Sequence, residues 1–511
     1  MTTRSDPQSS ASAFDPAVAQ RLDPRRAIGV GSAPAKVDVL GALGVDAGGT
    51  LAQITLPRRV EVAIQFQPVT VPVQGAVEPA RVATDGDAEH PPTRWPRDVA
   101  VAAERHALTV QHLDSPEWPG ERTLDVPIDE LLGASQSDAA AALATPERHW
   151  AWPAIAAWWS LLAAGRITPP QQSATIVIRS RIPRGAEQGS SVALIAAVIE
   201  AYCAIAGCKL DPSEHALYIQ RADRLIGPGQ MVDAWAVLHA PESATPQLLW
   251  LNARPNQPSQ IVELPSDLRL LALTTSVPAQ RAADTVRELR LAGAMGLRII
   301  ETVYRDLGQR HTPLRGYLAN LSPSLYRTYF RNLLPRRMRG ADYIRTYGHV
   351  AERAGTIDPQ QIYRVRTAVD HLISENEYAE SFIQAIEELD DKQHPLPDAE
   401  RELVRRRAGR LMLASHHSYR LRLELSVHEA DWLVDTLTEF GPARGIYGAR
   451  ISGSGGGGTV VALLARSSAA NDAILDAKLG YQREIGSILG ITEAGGAGSG
   501  GVRSTRIIRQ P

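Results

Sequence analysis

Apolar and polar positions alternate with period two over residues 60–66 (VEVAIQF), which predicts a half-buried strand. Short apolar runs at 37–40 and 51–54 flank a glycine-rich turn over 41–49. Residues 174–179 (ATIVIR) and 268–274 read as further strands. Helical spacing covers 150–164, which carries Trp150, Trp152, Trp158 and Trp159, then the apolar run 190–206, the segment 280–307 and much of 322–440. Residues 445–464 read as strand, glycine loop, strand. A glycine-rich surface loop at 494–501 precedes a last strand at 504–509. The small residues of 29–36 predict a loop, and 76–125 predict long surface loops with short strands. The polar, Pro/Ser-rich stretch 1–26 reads as a mobile tail. No repeat of fixed period occurs, and strands and helices do not alternate regularly, so the expected class is α+β in two lobes.

Composition narrows the partners. The 511 residues are 44% hydrophobic and 22% charged, with a net charge of −2, so no general field favours nucleic acid or an anionic membrane. The apolar run 191–208 approaches membrane-span length, but Glu200 interrupts it and Gly207 ends it, which reads as a buried helix. The first 13 residues lack the apolar core of a secretion signal, and a cytoplasmic protein is expected. Cys203 and Cys208, five residues apart, fit no metal or disulfide framework and read as buried thiols.

Three segments carry chemistry. In residues 182–202 (IPRGAEQGSSVALIAAVIEAY), Gly185 and Gly189 permit tight turns and close backbone approach. Ser190 and Ser191 then open an apolar helix whose free N–H groups and dipole would attract an anion; an ordinary loop with a serine cap is the competing reading. In residues 445–464, six glycines crowd 448–458, among them Gly453, Gly455, Gly456 and Gly457. Such a run is entropically costly and implies a backbone passing close to a ligand or to another backbone, a flexible hairpin loop being the alternative. The third segment, 31–49, combines Pro34, several glycines and the lone Lys36, and suits a loop that holds substrate.

Together these segments resemble the GHMP kinases, and among them galactokinase and the kinase part of L-arabinokinase, over roughly residues 28–510. Ala33-Pro34-Ala35-Lys36-Val37-Asp38 is similar to the family's opening Ala-Pro-Gly-Arg-x-Asn/Asp motif. Pro183, Gly185, Ser190 and Ser191 fit its phosphate loop, Pro-x-Gly-x-Gly-x-x-Ser-Ser. The run from Ile226 to Asp233 resembles Val-Gly-x-Pro-Cys-Gly-x-Met-Asp-Gln with one residue missing. Leu411-Met412, Ser415-His416-His417-Ser418, Glu429 and Asp431 follow the family's later motifs, and His371 and Glu375-Asn376 resemble arabinokinase.

The resemblance implies a disordered tail at 1–26, an ATP-binding N-terminal lobe at 27–265 with a left-handed βαβ unit, and a C-terminal lobe at 266–511. It implies a sugar kinase that uses ATP and Mg²⁺, with no nucleic acid or membrane partner. Asp233 and Lys36 would be catalytic. Gly185, Gly189, Ser190 and Ser191 would bind the phosphates, the two serines also holding Mg²⁺. Asp38 and Asp46 would contact the sugar, and Gly453, Gly455, Gly456 and Gly457 would lie near the active site. Trp150 and Trp152 fall where the family places adenine-side residues, or serve the core alone. Several positions depart from the pattern: Ala42-Leu43-Gly44-Val45 replace the Glu-His-x-Asp that reads sugar hydroxyls, Glu187 replaces a glycine, and Ala234 a glutamine. Glu187 is expected to turn outward, to solvent or Arg184, with Mg²⁺ ligation as the alternative. Other GHMP functions stay open: a kinase of a non-sugar alcohol, or a non-catalytic nucleotide- or sugar-binding regulator. His416 and His417 are expected to pack rather than bind metal, and the basic run 401–410 to face solvent.

Overall fold

The computed structural model describes residues 15–67, 107–143, 145, 147–168, 173–227, 229–243, 245–254, 259–309, 312–350 and 355–507. The first lobe is built on a sheet of eight strands. They are β1 (Ile28–Leu40), β2 (Thr50–Phe66), β3 (Ala107–His112), β4 (Arg122–Pro127), β5 (Ala174–Ser180), β6 (Gln247–Asn252), β7 (Gln260–Glu263) and the last strand of the chain. β2 is long enough to pair twice, with β6 at Thr50–Gln53 and with β5 at Val60–Phe66. β3 and β5 are parallel. Helix α1 (Pro16–Gln20) lies on one face of this sheet, and the other face is covered by α2 (Gln136–Leu143), α3 (Trp152–Ala163) and α4 (Ser190–Ala206), with α5 (Pro212–Asp223) and α6 (Met231–His239) packed behind.

The second lobe holds a four-stranded antiparallel sheet of β8 (Leu268–Thr274), β11 (Ile446–Ile451), β12 (Thr459–Ala465) and β13 (Gly490–Glu493) in the order β11-β12-β8-β13. A two-residue pair, β9 (Met338–Arg339) with β10 (Ile362–Tyr363), stands apart. The helices are α7 (Ala283–Asp306), α8 (Gly340–Tyr347), α9 (Val365–Asp390), α10 (Asp398–His417), α11 (His428–Phe440) and α12 (Ser468–Ile485). Helix α9 joins the lobes. Its first half puts Val365, Val369 and Leu372 into the second core, and its second half puts Phe382, Ile383 and Ile386 into the first.

Residues 29–36, expected as a loop, are the middle of β1, buried along all 13 of its residues. Their small size serves packing: a Cβ on Gly29 would stand 2.1 Å from the carbonyl oxygen of Ala201 in α4, and one on Gly31 2.2 Å from that of Ala197. The helix therefore lies directly on the strand, and composition alone does not separate that demand from a turn. The tail reading over 1–26 meets the described residues only from Asp15 onward. There Asp15 caps α1 and pairs with Arg179, while Val18 and Leu22 are buried against the sheet. The segment 494–501 is not a free surface loop but wraps Arg59, whose guanidinium donates to the carbonyls of Gly498, Gly500 and Gly501. β14 (Arg503–Ile507) then pairs antiparallel with β1, so this strand belongs to the first lobe rather than the second. Residues 68–106, most of the stretch expected as loops, lie outside the described residues.

Cys203 and Cys208 are half-buried rather than enclosed. The basic run 401–410 is tied down by ion pairs: Arg401 and Arg405 to Asp267, Arg406 to Glu402 and Arg407 to Glu388. His416 is buried beside Asp431 at 3.2 Å, in a packing role. Among the described residues no helix is long and apolar enough to cross a membrane, and no group of three or more His, Cys, Asp or Glu gathers as a metal cage.

Candidate active site

Lys36 and Asp38 are two residues apart on β1, so both side chains leave the same face. The pairing of β1 with β2 shifts register at Pro34/Ala35 and again at Asp38/Leu40, and such irregularities re-aim the residues between them. The Lys36 ammonium meets the Asp233 carboxylate at 2.6 Å and the Asp38 carboxylate at 3.0 Å, and the lysine is only 7% exposed. Burial alone would lower its pKa, but the two carboxylates outweigh it and hold the ammonium above its ordinary value. Asp233 stands in the first turn of α6, where a carboxylate is favoured by the helix dipole.

Gln53, opposite Asp38 on β2, completes the group. Its amide donates to Asp38 at 2.6 Å and to Asp233 at 2.8 Å, bridging the two acids. Sequence reasoning missed it, although an amide side chain inside the largely apolar run LAQITL was the available signal. Asp223 was missed as well. It ends α5, accepts the N–H of Gly229 at 3.0 Å and so shapes the turn leading to Asp233. Burial first, and the neighbouring Asp233 second, push its pKa up to about 6.

The expected phosphate loop lies alongside. Gly189, in the left-handed region, is the N-cap of the 17-residue α4 and provides no side-chain cap. The first-turn N–H groups are thus left without one, and among the described residues neither the Ser190 nor the Ser191 hydroxyl has a hydrogen-bond partner. This fits a polyphosphate with its counter-ion: donors and hydroxyls at the positive end of an apolar helix. The loop is docked on the lysine strand, the Lys36 N–H donating to the carbonyl of Gln188 at 3.1 Å.

Glu187 does not turn outward. Its backbone is left-handed (φ 54°), and its carboxylate accepts the N–H of Ser454 at 3.0 Å, across the lobes. Arg184, its expected partner, instead contacts His149 and lies over the Trp118 ring. Burial raises the Glu187 pKa, and the Ser454 N–H partly offsets this. The contact also accounts for a glycine: a Cβ on Gly453 would lie 2.0 Å from the Glu187 carboxylate. The glycine loop therefore meets the phosphate loop at Gly453 and Gly458, while Gly455, Gly456 and Gly457 press on Leu425, Ala282 and Val277, and Thr459 donates to the carbonyl of Ala186 at 2.6 Å. Ser452, just ahead, donates to the backbone carbonyl of Asp38 at 2.9 Å.

The structure thus gathers Lys36, Asp38 and Asp233 and sets both loops beside them. Asp46 does not join that group. It sits on the 3₁₀ turn Ala42–Ala47 and pairs with Arg290 of α7 at 2.5 Å, in the wall of an adjoining cavity. Trp150 is buried in an aromatic cluster with His112 and Trp118.

Comparison with known proteins bears directly on these segments. Residues 154–240, from α3 to the end of α6, match the GHMP kinases N terminal domain, and residues 399–481 match the GHMP kinases C terminal. Both GHMP kinase domain models thus match parts of this chain. The first spans the phosphate loop and Asp233, and the second the glycine loop. L-arabinokinase of Arabidopsis thaliana is 24% identical over 371 residues, covering 66% of this chain but only 34% of the arabinokinase, so the chain spans about a third of that relative. Galactokinase of Mycobacterium bovis (strain BCG / Pasteur 1173P2) is 26% identical over 325 residues, 63% of this chain and 72% of the relative. The crystal structure of Lactococcus lactis galactokinase complexed with galactose superposes with a TM-score of 0.61 over 97% of this chain and 99% of that one, at 14% identity. The fold is that of the GHMP kinases.

Proposed function

We propose that this chain is an ATP-dependent sugar kinase that transfers the γ-phosphoryl group to the anomeric hydroxyl of an arabinose- or galactose-like sugar. The observation that carries this reading is the buried Lys36–Asp233 pair, with an uncapped helix terminus against Lys36 and a cavity lined by Met231 and Val232, the residues just before Asp233. Asp233 polarises the acceptor hydroxyl and takes its proton. Lys36, kept cationic by two carboxylates, balances charge on the phosphoryl group in flight. Gln53 and Asp38 hold both groups in register. Gly185, Gly189 and the first turn of α4 cradle the polyphosphate, and Ser190 and Ser191 are the residues that would hold Mg²⁺, which supplies further charge neutralisation. Asp38, through Lys36, and Asp46, from the cavity wall, face the acceptor side.

The test is ADP release from MgATP with L-arabinose, D-galactose and other free sugars, followed by location of the new phosphate. A sugar 1-phosphate is the expected product. Phosphate on a primary hydroxyl, or only on a non-sugar alcohol, refutes the acceptor assignment. ATP binding without turnover on any acceptor favours a regulatory protein instead, the reading that the carboxylate of Glu187 within the phosphate loop supports.

A further inference from the structure

The cavity lined by Met231 and Val232, which precede Asp233 in α6, has a volume of about 1470 Å³. Ligand pockets commonly measure ~300–1,000 Å³, so this one exceeds what a free pentose or hexose fills. It is bounded by the turn Ala42–Ala47, by Gly229–Val232 and Trp235 around the start of α6, and by one face of α7. The turn contributes Leu43 and Val45, whose side chains cannot hydrogen-bond a sugar hydroxyl.

The walls carry four arginines, Arg224, Arg254, Arg290 and Arg298, against two carboxylates, Asp46 and Glu301. Arg290 is matched by Asp46. Arg254 is 3.8 Å from Glu380 and donates to Asn320 and Asn252. Among the described residues no carboxylate stands within ion-pair distance of Arg224 or Arg298; Arg298 is half-buried, whereas Arg224 is exposed at the cavity's edge. A partly desolvated guanidinium without a counter-charge is poised for a carboxylate or phosphate, which it can bind with paired hydrogen bonds.

We propose that the acceptor is a sugar bearing an anionic group, a carboxylate or a phosphate, and that Arg298 and Arg224 hold that group in the outer part of the cavity. The proposal rests on the sugar-kinase reading for the identity of the acceptor, but not for the presence of the anion site. With Leu43 and Val45 apolar and Asp46 already paired with Arg290, Arg298 and Arg224 supply the affinity and choose the acceptor, while Asp233 and Lys36 act on its hydroxyl.

The experiment is equilibrium binding to the full chain by calorimetry, with D-galacturonate and D-galactose 6-phosphate as anionic probes and D-galactose and L-arabinose as neutral ones, alongside ADP release with each. At least one anionic probe should bind tenfold or more tightly than either neutral sugar, and the better of the two tells carboxylate from phosphate. Arg298→Ala and Arg224→Ala should each weaken the anionic probe more than the neutral ones. Equal affinities, no measurable binding of either anionic probe, or equal losses in the variants overturn the proposal. Preferential anion binding without ADP release keeps it and refutes the kinase reading; turnover of neutral sugars with no anionic preference does the reverse.

Discussion

The carboxylate of Glu375 accepts the backbone N–H of Gly41 at 2.9 Å, joining α9 to the start of the acceptor-side turn. Its neighbour Asn376 accepts the N–H of Thr50 at 2.8 Å, at the end of that turn. Both ends of the segment that carries Asp46 are thus pinned from the other lobe. Asn376→Ala removes one anchor, a contribution of ~1 kcal/mol. It should raise the KM for the acceptor several-fold and leave the KM for ATP within twofold. Parallel rises in both, measured by steady-state kinetics, would contradict the positioning role.

Glu375 also takes a hydrogen bond from Ser415 at 2.7 Å and faces the wholly buried Arg450 at 3.7 Å. Burial alone would raise its pKa, but Arg450 and the other neighbours outweigh it and hold the carboxyl below its ordinary value. Glu375→Gln leaves Arg450 buried without a counter-charge. Breaking such a pair costs ~3–5 kcal/mol, which urea unfolding will show as a lower midpoint. An unchanged midpoint would mean that Arg450 has found another partner.

Asp233→Asn should cut turnover by a factor of ~10²–10⁴, the range of a positioned acid–base group, with ATP affinity changed only a few-fold. The Lys36 ammonium keeps Asp38 as a partner in this variant, so the lysine remains held. Turnover near that of the parent would exclude Asp233 as the group acting on the acceptor hydroxyl.

Glu187→Gly does two opposing things. It relieves a left-handed residue, worth roughly 1–2 kcal/mol, and it removes the hydrogen bond to Ser454 that ties the phosphate loop to the glycine loop. Because the carboxylate is already engaged there, ATP affinity should change by less than tenfold, about 1.4 kcal/mol. A gain of a hundredfold or more in a nucleotide titration would show that this carboxylate repels the polyphosphate.

Asp223 binds its proton more tightly in the folded chain, with a pKa near 6 against 3.8 ordinarily. Its contribution to stability is therefore complete below pH 3.8 and is lost as pH rises through 6. Asp223→Asn keeps an acceptor for the Gly229 N–H and abolishes the ionisation. Its melting temperature should exceed the parent's by a few degrees at pH 8, from a difference of up to ~3 kcal/mol, and the two should converge at about pH 4. A lower melting temperature at pH 8 would show that the ionised carboxylate is instead stabilised.

The fold class was legible because it depends on local pattern: strand alternation and a glycine turn ahead of an apolar helix. Lys36 and Asp38 were legible only through the motif they share with the GHMP kinases, because the strand that aligns them reads as a loop up to residue 36. What was not legible depends on contacts distant along the chain. Gln53 gains its role only when β2 lies against β1 and α6 closes over both. Glu187 looked like a charge misplaced in a phosphate loop because its partner, Ser454, belongs to the other lobe. The segment 29–36 reads as a loop by composition, since the helix that demands its small residues lies far ahead in the sequence. Asp46 held its expected place on the turn, yet only the fold brings Arg290 to it.

The pairing of β14 with β1 has a consequence for synthesis on the ribosome. Domains generally fold as they emerge, at ~5–20 residues per second. Here the outer edge of β1, from Ile28 to Ser32, waits for residues 503–507, which are made only after the whole second lobe. A nascent chain that has finished only its first lobe therefore carries an open strand edge, and the carbonyls that satisfy Arg59 have not yet been made. Expression of a piece ending near residue 265 would leave the same edge uncovered and prone to pair with its copies, whereas a product that reaches residue 507 closes it with β14.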